Sequence, residues 1–135
     1  MFSKISKIRK QKLDKIESEV IKLKQEIRGL KKKLDKVYEE IKSLKTPVSG
    51  DMILFSSYNE QKRLLGNQKD DLLRILHVKE MQLAKKHQEY KKANIEYEKI
   101  KYLEEVEFKK KMDRIKKLEQ KDLDEVANML YKRGK

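Results

Sequence analysis

Residues 13–44 read LDKIESEVIKLKQEIRGLKKKLDKVYEEIKSL, and a line of apolar side chains runs through them at Leu13, Ile16, Val20, Leu23, Ile27, Leu30, Leu34, Val37, Ile41 and Leu44. The steps alternate between three and four residues without exception, which is the heptad repeat of a coiled-coil helix. With Leu13, Val20, Ile27, Leu34 and Ile41 at position a and the others at position d, the flanks carry mostly charged residues. Glu19, Glu26 and Glu40 lie on one side, and Lys24, Lys31 and Lys45 on the other. An isolated helix of this length gains little against the entropy of ordering it, so the seam requires a second helix.

The repeat stops at Thr46-Pro47-Val48-Ser49-Gly50-Asp51, where the only proline of the chain meets a glycine. Pro47 disfavours helix at the residue before it, and the cluster predicts a turn over 46–51. Ser49 or Asp51 is placed to cap a following helix, and so short a connection favours an antiparallel return. From 52 to 133 there is no other proline. A looser seam passes through Phe55, Tyr58, Leu65, Leu72, Leu76, Leu83, Tyr90, Ala93, Tyr97 and Ile100. Lys62, Lys69, Lys79 and Lys86 interrupt it at core-like phases, where their stems can lie along the seam while the ammonium groups reach water. Packing on this helix is expected to be weaker than on the first. Gly66 costs about 1 kcal/mol against alanine inside a helix, and marks either a bend, a close approach or nothing at all.

These elements predict an all-α fold: a two-helix antiparallel coiled-coil hairpin with a longer C-terminal helix, forming one coiled-coil domain over 1–135. Helix one is expected at about 4–46 and helix two at about 52–133. At about 1.5 Å per residue they would span roughly 60 Å and 120 Å, so a hairpin zipped from the turn leaves the last third of helix two uncovered. That overhang carries Val106, Phe108, Met112, Ile115, Leu118, Leu123, Val126, Met129, Leu130 and Tyr131. An apolar stripe left uncovered in this way usually awaits a partner. The start of the chain, through Phe2, Ile5 and Ile8, can cover only its first part.

Composition agrees with long exposed helices: 44% of residues are charged, and four glycines and one proline are spread over 135 positions. No cysteine is present, so thiol nucleophiles, disulfides and thiolate metal sites are excluded. No apolar run approaches the roughly 18–20 residues of a membrane span, nothing near the start resembles a secretory signal, and a cytoplasmic location is expected. The net charge of +13 would attract any polyanion. Much of the excess lies at Lys4, Lys7, Arg9, Lys10 and Lys12, ahead of the first acid, Asp14. With Ile5 and Ile8 among them, this segment is either a solvated helix end or an amphipathic membrane-surface helix.

Enzymatic and cofactor chemistry finds no support in the residues. His77 and His87 sit ten residues apart on an exposed helix, with no nucleophilic serine or cysteine arrangement near them. The carboxylate pairs Asp70-Asp71 and Glu104-Glu105 are sequence neighbours on diverging helix faces. No glycine-rich phosphate loop occurs, and no metal or cofactor is expected.

Near the C-terminus the string Gln120-Lys121, then Asp124-Glu125, then Ala127 resembles the closing signature of the FliJ family. Members are helical hairpins of similar length with a longer C-terminal helix, so the architectural likeness covers essentially the whole chain, and the signature about ten residues. The resemblance implies a non-enzymatic component of the flagellar type III export apparatus, similar to the central stalk of a rotary ATPase. It implies docking into the ring of a FliI-like export ATPase hexamer through Met112, Ile115, Leu118, Gln120, Lys121, Leu123, Asp124, Glu125, Ala127 and Leu130. It implies contact with the cytoplasmic domain of the FlhA-like export gate, for which Tyr38, Phe55, Tyr58 and Leu65 are the candidates, although apolar positions near the turn do not all coincide with the family's. Handling of export chaperones, and membrane association only through the apparatus, belong to the same picture. On helix chemistry alone, Gln120 with Asp124 and Lys121 with Glu125 are ordinary i,i+4 neighbours.

Three other readings stay open at this level. The same fold occurs in YscO-like stalks of virulence injectisomes. The positive charge suits nucleic-acid binding, which would weaken steeply with salt, but acids are interspersed and no recognisable nucleic-acid module appears, so no specific nucleic acid is expected. A generic scaffold would dimerise through its seam, whereas an intramolecular hairpin predicts a monomer when free.

Overall fold

The computed structural model describes residues 2–48, 50 and 52–134. It holds two helices, α1 (Ser3–Ser43) and α2 (Met52–Arg133), and no strand among the described residues. The proposed caps Ser49 and Asp51 lie outside the described residues. Helix α1 ends at Ser43, where the Ser43 hydroxyl donates to the Glu39 carbonyl at 2.9 Å and the Leu44 N–H donates to the Ile41 carbonyl at 3.3 Å. The Leu44 bond takes the Ile41 carbonyl that the Lys45 N–H would use in a continuing helix, the Ser43 hydroxyl adds a second bond to the Glu39 carbonyl, and Pro47, four residues after Ser43, disfavours resumption. Lys42 at the end of α1, and Lys132 and Arg133 at the end of α2, complement the negative ends of the helix dipoles.

Contacts divide the chain into two units, residues 14–92 and residues 1–13 with 93–135. In the first, Ile16, Val20, Ile27, Leu34 and Val37 of α1 are buried, and Leu76 is their buried counterpart on α2. Ile27, Leu34 and Leu76 form a cluster against which Leu30, Leu72 and Leu83 pack. The covered seam positions of α2 here are Tyr58, Leu65, Lys69, Leu72, Leu76, Lys79, Leu83, Lys86 and Tyr90, a three-four alternation broken only at Lys62, which is exposed.

Two of the seam lysines do more than snorkel. Lys79 Nζ lies 2.9 Å from Glu26 Oε2, and Lys86 Nζ lies 2.6 Å from Glu19 Oε2 and 3.1 Å from Glu89 Oε2. A step of seven residues up α1, from Glu19 to Glu26, matches a step of seven down α2, from Lys86 to Lys79. This is antiparallel heptad pairing. Glu26 Oε2 is closed to water and takes the Lys79 ammonium as its counter-charge. A Cβ at Gly66 would meet nothing within 4 Å, so this glycine serves no close approach.

In the second unit Leu13 and Ala93 are buried. Arg9 Nη1 donates to Glu96 Oε2 at 2.6 Å, and Lys10 Nζ stands 5.6 Å from the centre of the Tyr97 ring. Phe2 is half-buried, while Ile5 and Ile8 are exposed. Tyr97, Ile100, Glu104 and Val106 are the last half-covered apolar or seam positions of α2, and from Glu107 to Gly134 every residue is exposed.

Candidate interaction surfaces

From Glu107 to Arg133 every residue of α2 is exposed. Its apolar residues Phe108, Met112, Ile115, Leu118, Leu123, Val126, Met129, Leu130 and Tyr131 are all exposed. They recur partly at eleven-residue intervals, Met112 with Leu123, Ile115 with Val126 and Leu118 with Met129, which is a different period from the heptads upstream. The stripe therefore leaves the phase of the upstream seam. All ten residues expected at this surface, Met112, Ile115, Leu118, Gln120, Lys121, Leu123, Asp124, Glu125, Ala127 and Leu130, lie on this one helix and are exposed. Within it Gln120 Nε2 donates to Asp124 Oδ1 at 3.1 Å, the i,i+4 bond that helix geometry favours.

The four residues near the turn separate into two pairs. Tyr58 and Leu65 are half-covered and belong to the seam, whereas Tyr38 on α1 and Phe55 on α2 are exposed. Leu65 lines an open groove with Glu40, Ser43, Leu44, Gln61 and Gln68, which places the end of α1 beside the third turn of α2. Phe55, three residues before half-covered Tyr58, is 39% exposed and lies at the edge of the seam. The sequence reading omitted Met52, Ile53 and Leu54 beside it, and Ile75, Val78 and Met81 farther along, all exposed apolar residues. Their signal was available, since each falls off the three-four phase of the seam.

Side-chain chemistry elsewhere is that of a charged surface. Asp71 pairs with Arg74 at 2.7 Å, Glu60 with Arg63 at 2.7 Å, and Lys69 stands 3.9 Å from Asp70. The Arg63 hydrogen bond holds the Glu60 carboxyl below its ordinary range and pushes the Arg63 guanidinium up. In the seam, the Lys86 ammonium lowers Glu19 and the Lys79 ammonium lowers Glu26, each against an opposing cost of desolvation. The bonds to Glu19 and then Glu89 raise Lys86. His77 and His87 are both exposed. Among the described residues no group of three or more His, Cys, Asp or Glu side chains converges to hold a metal ion, and no helix is long and apolar enough to cross a membrane.

Two helices with an ion-paired seam, open grooves and a long exposed helical stretch define an α-helical coiled-coil protein. The family model described as flagellar FliJ protein matches residues 1–135, and the chain belongs to that family. The FliJ family is one of flagellar type III export components, acting on the cytoplasmic side of the export apparatus. No curated protein and no solved structure matches the chain.

Proposed function

We propose that this protein is the central stalk of the flagellar export machinery, entering the export ATPase hexamer with the C-terminal part of α2 and linking that ring to the export gate. The observation that carries the reading is the uncovered face from Phe108 to Tyr131, with the Gln120 to Ala127 signature inside it. A ring encloses a helix from all sides, and exposed apolar residues on a single extended helix suit such an enclosure. Tyr38 and Phe55 supply the aromatic contact for the gate, with Tyr58 and Leu65 holding the hairpin beneath them. Export chaperones are further partners in this reading. The protein works without chemistry of its own, and ATP hydrolysis belongs to the ring.

The test is stimulation of a purified flagellar export ATPase by the full chain and by a chain lacking the residues after Met112. Stimulation by the first and none by the second supports the stalk. Equal stimulation by both, or an absence of binding to both the ATPase and the gate domain, overturns it.

A further inference from the structure

The apolar seam of α1 does not distinguish one heptad from the next. From Leu13 to Leu44 every seam residue is leucine, isoleucine or valine, so an α2 stepped by seven residues in either direction would meet the same kind of surface. The connection limits the offset without choosing among neighbouring heptads. Eight residues separate Ser43 from Met52 and reach up to about 26 Å, whereas a step of seven residues moves a helix by about 10 Å. The choice falls to the charges.

Glu26 holds Lys79 at 2.9 Å and Glu19 holds Lys86 at 2.6 Å. One heptad beyond these glutamates the sequence places lysines, Lys33 after Glu26 and Lys12 before Glu19. A step that carries Lys86 to Glu26 therefore carries Lys79 to Lys33, and a step that carries Lys79 to Glu19 carries Lys86 to Lys12. The third covered seam lysine follows the same rule. Counting equally up α1 from Ile27 and down α2 from Lys79, Lys69 comes to Val37, which lines a groove with Gln68 and Leu72, and Tyr38 flanks the seam there. Tyr38 has Lys31 one heptad before it and Lys45 one heptad after. In the observed register none of these three lysines is set against a cation, and in either neighbouring register two of the three are. Their side chains are 32%, 32% and 35% exposed, and Glu26 Oε2 is closed to water, so a second ammonium at such a position would be poorly screened. Lys62 is exposed and weighs less: one of the two steps would bring it to Tyr38, a gain smaller than the two encounters that step creates.

We propose that these side chains form a register lock. Glu19, Glu26 and Tyr38 admit Lys86, Lys79 and Lys69 in one alignment, while Lys12, Lys31, Lys33 and Lys45 exclude the alignments one heptad to either side. Within residues 14–92 the helices thus resist sliding, and a push along α2 is carried into α1 instead of being lost as slip. The lock does not depend on the export ATPase or the gate as partner.

The chain contains no cysteine, so disulfide trapping in the full-length protein, at low concentration and read as the monomer band, reports the register directly. Leu23→Cys with Leu83→Cys marks the observed alignment, Leu23→Cys with Tyr90→Cys the step one way, and Leu23→Cys with Leu76→Cys the step the other way. In the parent only the first pair should close readily. A fourfold exchange, Glu19→Lys with Lys33→Glu and Tyr38→Lys with Lys45→Tyr, keeps composition and net charge and moves every admitted partner one heptad up α1. In that background the pair at 23 and 90 should close about fivefold or more faster than in the parent, and the pair at 23 and 83 should slow. Lys32→Glu with Glu39→Lys, an exchange at two exposed positions off the seam, should change neither. Lys33→Glu alone, also at an exposed position, should raise closure at 23 and 90 while circular dichroism matches the parent, which keeps the test decisive if the fourfold exchange loses helix. Equal closure of all three pairs in the parent would overturn the lock. An undiminished preference for the pair at 23 and 83 in the folded fourfold exchange, or no rise at 23 and 90 in Lys33→Glu, would assign the register to packing or to the turn and overturn it as well.

Discussion

Lys86 Nζ reaches across the helix pair to within 2.6 Å of Glu19 Oε2, and one heptad away Lys79 and Glu26 repeat the contact at 2.9 Å. These lysines stand at seam positions of α2 where leucine would be expected, and each is answered by a glutamate flanking the seam of α1. A lysine facing a seam without its glutamate would lose its counter-charge while keeping part of its desolvation cost. The pairs thus favour this one register, because a slip of a single heptad would leave one of them unmatched.

The carboxylates fix the acid side of stability. Glu19 and Glu26 titrate below the ordinary value of 4.5, so their contribution is complete above that value and is lost as the pH falls through the lowered ones. Lys86 titrates above the ordinary 10.5, so its contribution is complete below 10.5 and is lost as the pH rises through the raised value. Glu19→Gln with Glu26→Gln should lower the melting temperature at neutral pH, and the difference from the parent should vanish in strong acid. The lysine side chains are 32% exposed, so the effect should be small and should shrink further in concentrated salt. Thermal melts followed by circular dichroism across the acid limb read this directly.

Leu76 is the buried residue α2 contributes to the cluster with Ile27 and Leu34. Leu76→Ala should cost about 2–3 kcal/mol in urea unfolding, towards the low end for buried leucine because a two-helix seam can partly close. Ile75, next in sequence and exposed, should change stability by no more than about 0.5 kcal/mol on replacement by alanine. Similar losses at both positions would contradict the register.

Gly66 has open space where a Cβ would go and sits inside α2. Gly66→Ala should therefore raise stability by about 1 kcal/mol through helix propensity and the reduced freedom of the unfolded chain. A lower melting temperature would mean that a bend at this position matters to the fold.

Much of this was legible in the heptads. The alternation from Leu13 to Leu44 specified the seam of α1, and the phases of Lys69, Lys79 and Lys86 identified them as seam lysines before any coordinates. Their partners were not legible, because the offset between two antiparallel helices depends on where the turn lets α2 begin. Phe55 belongs to the same gap: its phase continues the seam, but α1 ends at Ser43 and Phe55 stays 39% exposed. Phase put Met52, Ile53 and Leu54 off the seam, but a run apolar on all sides has no single face to assign to a partner. Toward the C-terminus the pattern predicts an uncovered helical stretch, and α2 is exposed from Glu107 to Arg133, while the identity of what binds there lies in chemistry outside the chain.

The uncovered stretch of α2 makes a prediction about dynamics as well as binding. A single helix without a packed partner is marginal in water, because nothing but local hydrogen bonds and i,i+4 pairs such as Gln120 with Asp124 opposes fraying. Amides from Glu107 onward should therefore exchange with deuterium far faster than those of Val20 to Val37, whose opening requires the seam to separate. Leu123→Ser with Val126→Ser should leave the melting of residues 14–92 unchanged, since neither side chain contributes to that unit. Addition of the export ATPase should slow exchange from Glu107 to Arg133 in the parent and not in this variant. Slow exchange of the free chain in that stretch would mean that the apolar face is already covered, and the stalk reading would lose the surface it depends on.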